Sequence, residues 1–340
     1  MQLPAFEYHR PASLDEALAT LGTAGNSLAV LGGGTDLLIN LKLRLERPAA
    51  LLSVRDLPEL AGVSVDAAGT LRIGAGERLT DLATHPLLVG RYPGLAQAIR
   101  AVGSQHVRNM ATLGGNLCLP TRCWYTNQSE NWRAAQEPCW KTEGKVCHVI
   151  KTAPDCRAIH SADSVPALIA LDARVLLRST RGERELRLAD FYRDDGIENN
   201  ALLPGELIIA VLIPPVRARS VFVKAAARTG LDYGYATLAG VLTGSNRAPK
   251  SLLLVAGSVG TMPLVLHKSA QLILAEGLTE AGIEAAADAA RENLGEVTNL
   301  FAPPGYKKRL VRGLVRRVLN DLRRQKLPDE LRRQNLPDAD

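Results

Sequence analysis

All five cysteines of the chain fall between positions 118 and 156. Four of them, Cys123, Cys139, Cys147 and Cys156, are spaced C-x15-C-x7-C-x8-C, and Trp124, Trp132 and Trp140, every tryptophan in the sequence, lie among them. Ordering so long a loop costs roughly 1 kcal/mol or more per residue in backbone entropy, and its apolar residues are too sparse to offset that. Disulfides or a thiolate-held metal centre must tie it down. The start of the chain, Met1-Gln2-Leu3-Pro4-Ala5-Phe6-Glu7, has no charged segment followed by an apolar one, so a cytoplasmic chain with reduced thiols is expected and metal is favoured. Zinc ligands usually come as close pairs, whereas even Cys118 and Cys123 have four residues between them and the others are wider. Iron–sulfur clusters accept more varied spacings. A cluster therefore ranks ahead of zinc, both stay open, and a few buried free cysteines are the plainest alternative.

Two glycine turns offer a different chemistry. An apolar strand at 28–31 runs into Gly32-Gly33-Gly34-Thr35-Asp36 and then a helix at 37–43, an order that gathers free amides where a pyrophosphate could sit. The second turn, Thr112-Leu113-Gly114-Gly115-Asn116, follows Gly103-Ser104-Gln105-His106-Val107-Arg108-Asn109. One such turn can simply be a tight bend needing positive φ; two in one domain favour a dinucleotide between them. Neither is G-x-G-x-x-G with an acidic residue at the right offset, so a nicotinamide-binding Rossmann domain is not supported.

Supporting elements can be placed around these turns. Ser13 to Glu16 forms a capping box for a helix to about 21, with Leu14, Ala17, Leu18 and Leu21 on one face. Strands are expected at 50–54, 71–75, 173–178 and 206–213, and helices at 93–102 and 165–171, the latter capped by 161–163. A linker at 214–219 leads to strands at 220–226, 236–242 and 251–258, then helices at 268–275, 279–294 and 307–322. The tail repeats Leu327-Pro328-Asp329 as Leu336-Pro337-Asp338. With 46% apolar and 22% charged residues the chain is globular, and no apolar run approaches a membrane span. Much of the +6 net charge sits in the last helix, which reads as a solvated or partner-facing surface, because the aromatic interleaving of single-strand binders is missing.

These residues resemble the flavin-binding medium subunits of molybdenum hydroxylases, the xanthine dehydrogenase and carbon monoxide dehydrogenase group. The resemblance spans nearly the whole chain. It rests on residues 6–14, on Gly32-Gly33-Gly34-Thr35-Asp36-Leu37-Leu38, on Thr112-Leu113-Gly114-Gly115-Asn116-Leu117, on Asp163 before Pro166-Ala167-Leu168, and on Lys224 with Arg228. It implies an α+β fold: a vanillyl-alcohol-oxidase/PCMH-type two-part FAD-binding domain (1–55 and 56–218) and a C-terminal domain of three strands with helices (219–325), then a polar tail (326–340). The implied FAD contacts are Val30, Leu31, Gly32, Gly33, Gly34, Thr35, Asp36 and Leu37 in the first turn, and Val102, Ser104, Val107, Thr112, Gly114, Gly115 and Asn116 around the second. Asp163, Leu202 and Lys224 complete them, Lys224 near the isoalloxazine ring.

Ordinary members pass almost directly from the second turn to the segment of Asp163. The insertion here, about 119–158, resembles that of the 4-hydroxybenzoyl-CoA reductase β subunit, which implies a [4Fe–4S] cluster on Cys123, Cys139, Cys147 and Cys156, with Cys118 spare and His148 outside the ligand set. Implied partners are a molybdenum large subunit, a small [2Fe–2S] subunit and a ferredoxin-like donor, in an (αβγ)2 assembly with neither nucleic acid nor membrane. Electrons would run from donor to cluster to FAD and on to molybdenum, where an aromatic CoA thioester is dehydroxylated; this chain would hold no catalytic residue of its own. An oxidative hydroxylase subunit with reversed flow is the alternative, and a zinc-stabilised nucleic-acid-binding protein a remote one. Replacing Cys139 is expected to leave FAD bound, since the glycine turns lie outside the insertion.

Overall fold

The computed structural model describes residues 2–295 and 305–327; the tail beyond lies outside them. The first unit is a small parallel sheet in the order Glu7–His9, Ala50–Ser53, Leu28–Leu31. The Leu14–Ala24 helix lays its Leu14, Ala17, Leu18 and Leu21 stripe onto that unit's core. Its cap differs in one bond from a capping box: Ser13 Oγ accepts from the Glu16 amide, but the Glu16 carboxylate reaches the amide of Ala12, 2.7 Å away.

The second unit is an antiparallel sheet in the order Val63–Val65, Leu71–Gly74, Leu207–Ile213, Arg174–Ser179, Gly182–Arg187. The Gly182–Arg187 edge strand is absent from the sequence expectations because its Gly-Glu-Arg-Glu-Leu-Arg run lacks an apolar alternation. Its charges suit an edge that must not pair with another chain. Short helices, among them Leu79–Thr84, Pro93–Arg100 and Ser164–Ala170, cover the sheet and share its core.

The third unit is a sheet in the order Leu264–Val265, Pro249–Gly257, Ala236–Gly244, Arg219–Ala225, backed by helices His267–Glu276, Glu280–Asn293 and Tyr306–Arg324. Three of its strands are those expected; the two-residue Leu264–Val265 strand adds a fourth at the edge. Ala236–Gly244 is buried on both faces, Ala239 and Val241 against the second unit and Leu238 and Leu242 against the C-terminal helices, which is why it reads as a continuous apolar run. Contact between the units is close: a Cβ on Gly94 would lie 2.8 Å from the Val221 amide nitrogen, and one on Gly257 2.6 Å from Pro166 Cγ.

Arg219 is part of a strand and not of a linker. Its guanidinium is buried and donates to Asn246 Oδ1 (2.6 Å), to the Leu322 carbonyl (2.8 Å) and to the Gly244 carbonyl (3.1 Å), joining sheet, turn and last helix. The basic face of that helix is largely spent within the chain, on Arg312 with Glu284 and Asp288, Arg316 with Glu284, and Arg323 with Glu280. Among the described residues no helix is long and apolar enough to cross a membrane. Replacing Arg219 by Met leaves buried carbonyls without donors, and denaturant unfolding should show a loss of about 3 kcal/mol.

Candidate functional site

Both glycine turns line one cavity of about 1060 Å³, large enough for a dinucleotide. Its wall includes Val30, Gly32, Gly33, Gly34, Thr35, Asp36 and Leu37 from the first turn. Val102, Val107, Thr112, Gly115 and Asn116 come from the second region, with Asp163 and Lys224 closing one side. Glycine is required at position 33 because a Cβ there would overlap the Met110 carbonyl, and at position 34 because φ is +71°. Thr112 Oγ1 accepts from the Gly115 amide and holds the second turn in shape.

Four of the implied contacts lie off the wall. Ser104 is spent as a helix cap, its Oγ accepting from the Val107 amide. Gly114 faces Ala75, whose Cβ would be 2.9 Å from an added methyl, Leu31 packs on Gly34, and Leu202 joins the central core.

Asp163 does not cap the Ser164–Ala170 helix with its side chain. Its Oδ2 instead takes a 2.7 Å ion pair from Lys224 Nζ, which also donates to the Ala101 carbonyl. This buried pair crosses from the second unit to the third. The other oxygen, Oδ1, and the Ser161 hydroxyl are buried on the same cavity without partners, so polar atoms stand ready for a ligand there. Burial pushes the Asp163 carboxyl up to about 6, against the pull of the Lys224 ammonium.

The four spaced cysteines converge on a second, small cavity, lined also by Tyr125, Thr126, Trp140 and His148. Each sulfur meets a donor. Backbone amides of Tyr125 and Thr126 reach Cys123, and that of Ala158 reaches Cys156. Thr142 Oγ1 donates to Cys139 at 3.6 Å, and the Ile150 amide to Cys147 at 3.4 Å. Lys141 supplies a cation: burial lowers its pKa, while Cys156, Cys123 and Cys139 act in the opposite sense. Burial nonetheless raises Cys123 and Cys156, and the amides and the Lys141 charge only oppose it; Lys141 Nζ itself donates to the Thr121 carbonyl at 2.9 Å. Yet among the described residues no three His, Cys, Asp or Glu side chains are grouped to hold one metal ion, as zinc would need with Zn–S bonds of about 2.3 Å. Of the tryptophans only Trp140 lines this cavity, and Trp124 is half exposed. His148 Nε2 is engaged by the Glu137 carbonyl at 2.7 Å.

The two cavities back onto each other. Arg122 lines the large one and Cys123, the next residue, the small one. Pro120 and Asn127 of the insertion also line the large cavity, so the insertion and the glycine turns outside it share that wall. Sequence reasoning missed these residues, as it missed Ser161, Asn199 and Tyr233 on the same wall. Cys118, the spare thiol, lies there too, and burial pushes it up to about 12, which keeps it protonated.

The Asp163 shift has a definite sign. Its folded pKa lies above the ordinary unfolded value of about 3.9, so between about pH 4 and 6 the unfolded chain loses its proton first and stability falls as pH rises. Relative to Asp163→Asn, the flavin-free wild type should lose about 3 kcal/mol across that window and nothing further above it, measured by urea unfolding at several pH values.

Comparison with known proteins fits this geometry. Residues 4–216 match the FAD binding domain in molybdopterin dehydrogenase, and residues 221–322 match the CO dehydrogenase flavoprotein C-terminal domain. The aldehyde oxidoreductase FAD-binding subunit of Escherichia coli (strain K12) is 37% identical over 251 residues, 71% of this chain and 78% of that relative. The nicotinate dehydrogenase FAD-subunit of Eubacterium barkeri is 27% identical over 93% of this chain and 96% of its own. A solved carbon monoxide dehydrogenase from Hydrogenophaga pseudoflava superposes with a TM-score of 0.77 at 26% identity, covering 95% of this chain and 98% of that one. With the double glycine turn, the cavity it lines and the C-terminal sheet all in place, the chain belongs to the FAD-binding subunits of molybdenum hydroxylase-type oxidoreductases.

Proposed function

We propose that this subunit carries a second redox centre beside its flavin, a [4Fe–4S] cluster on Cys123, Cys139, Cys147 and Cys156, and relays electrons between the two. The family match carries FAD alone; the cluster rests on the cysteines. The supporting observation is the shared wall, since Arg122 and Cys123 line the two cavities and consecutive Cα atoms are only about 3.8 Å apart. When bound, FAD would supply the exchange between paired and single electrons, and a cluster would supply single-electron transfer. The chain's own residues do the holding. Glycine turns would admit the cofactor to the backbone, Asp163 and Lys224 set the charge of one wall, and the amides and Lys141 around the thiols partly offset the burial that raises Cys123 and Cys156.

The functional units are taken as 1–55 and 56–218 for flavin, 119–158 for the cluster and 219–325 for the C-terminal domain, with a molybdenum large subunit and a small [2Fe–2S] subunit as partners. Oxidation is the better supported direction, because the relatives include an aldehyde oxidoreductase, a nicotinate dehydrogenase and a carbon monoxide dehydrogenase. Electrons would then leave molybdenum, reach FAD and pass outward through the cluster. Reductive dehydroxylation of an aromatic CoA thioester rests on the cysteine spacing alone.

Anaerobically purified full chain should contain about four irons and four sulfides per FAD, and Cys139→Ser should lose or convert the cluster. Zinc, or FAD without metal, would leave the family intact and remove the second centre. In the assembled complex, bleaching of the flavin by an aldehyde or N-heterocycle supports the oxidative direction; bleaching only by a reduced ferredoxin supports the reductive one.

A further inference from the structure

The insertion touches the flavin cavity through a side chain that ordinary binding motifs do not supply. Arg122 has its backbone clamped in both directions to Ile159, with N···O distances of 2.7 and 2.9 Å. Its side chain leaves that clamp, enters the wall of the large cavity and is only 13% exposed. There the guanidinium pairs with Asp36, the last residue of the first glycine turn, and donates to Asn40 Oδ1 at 3.3 Å. Asn40 in turn donates to Asp36 Oδ2 and Glu46 Oε1. The Arg122 Nε is buried and has no partner. This guanidinium therefore both fixes the turn's aspartate and keeps a donor in hand. A second clamp lies beyond it: Arg133 donates to the carbonyls of Leu43 and Arg44, just past the Leu37–Lys42 helix, and Glu130 pairs with Arg47. The glycine turn and the helix after it are thus held at both ends by the cysteine loop.

We propose that Arg122 is a flavin-binding and positioning residue that couples the two cofactor sites, so that an assembled cysteine centre tightens FAD binding and bound FAD in turn helps retain that centre. The coupling half rests on the cluster reading above; the binding half does not. The insertion has little core of its own, so the position of Arg122 depends on what orders Cys123 beside it. Once Cys123 is ligated, the guanidinium is pinned against Asp36 and the turn is preformed for the cofactor, which lowers the ordering cost of binding. Linkage makes the effect reciprocal.

The test uses the full chain stripped of flavin, with and without its metal centre, titrated with FAD and followed by quenching of flavin fluorescence. In wild type, removing the centre by oxidant and chelator should weaken FAD binding about tenfold. Arg122→Gln, with iron and sulfide content unchanged, should bind FAD about tenfold more weakly from the start, and removing its centre should change little more. Asp36→Asn breaks the same pair from the other side and should behave alike, which covers the case where the first variant folds poorly. Wild-type affinity in both variants would overturn the binding role. An equal loss on metal removal in wild type and variants would overturn the coupling through Arg122. A wild-type chain without iron would overturn the coupling together with the cluster reading, while the variants' FAD affinity would still decide the binding role.

Discussion

The flavin cavity depends on the meeting of two stretches of backbone. Gly33 lies so close to the Met110 carbonyl and the Ala111 Cα that no side chain fits between them. One stretch belongs to the small parallel sheet and the other to the segment leading into the second glycine turn, so this contact brings both turns to one wall. Thr112, next along, packs its Oγ1 against Gly32 and caps its own turn. Had the first turn carried a Cβ at position 33, the two stretches would be wedged apart and the amides would no longer face one ligand. The glycines are thus a packing requirement before they are a binding motif.

A second junction closes the cavity from the far side. Lys224 sits on the Arg219–Ala225 strand of the third unit and reaches Asp163 at the start of a helix in the second. Strand and helix can come this near because Gly94 and Gly257 remove the side chains that would hold the sheet away. The pair is buried, and its carboxylate is raised rather than lowered, so desolvation outweighs the attraction of the ammonium. Such a pair is a poor source of stability. Its position on the cavity wall, with Asp163 Oδ1 left unpartnered, makes better sense as a charged surface kept for the cofactor.

What could be read from the sequence was what periodicity and local chemistry encode. The helix stripe from Leu14 to Leu21, the apolar runs at Leu28–Leu31 and Leu207–Ile213, and the three long strands of the third unit form where expected, because each carries its own burial pattern. Glycine turns and cysteine spacing were legible for the same reason. Residues whose role depends on distant partners were not. Arg122 looks like any charged loop residue until Asp36, 86 positions earlier, is brought beside it. Ser104 and Leu202 fit the flavin pattern by position, yet their side chains are engaged in a helix cap and in the core, and the Gly114 backbone packs on Ala75. Asp163 looked like a cap residue, and only the third unit reveals its partner.

The cysteines show how environment divides one residue type into two roles. Cys118 and Cys156 are both buried thiols with raised pKa values, about 12 and about 11. Burial is the one cause resolved for Cys118, which favours the neutral thiol. Around Cys156 the same burial is opposed by the Ala158 amide and by Lys141, groups that lower the cost of a thiolate once something positive is bound. A Cβ on Gly196 would lie 2.6 Å from the Cys156 sulfur, so glycine there lets the backbone pack against the thiol. Metal binding must release the thiol protons, so a site built of buried thiols is stable when loaded and strained toward protonation when not. Arg122, the residue before Cys123, ties this loop to Asp36 of the first glycine turn.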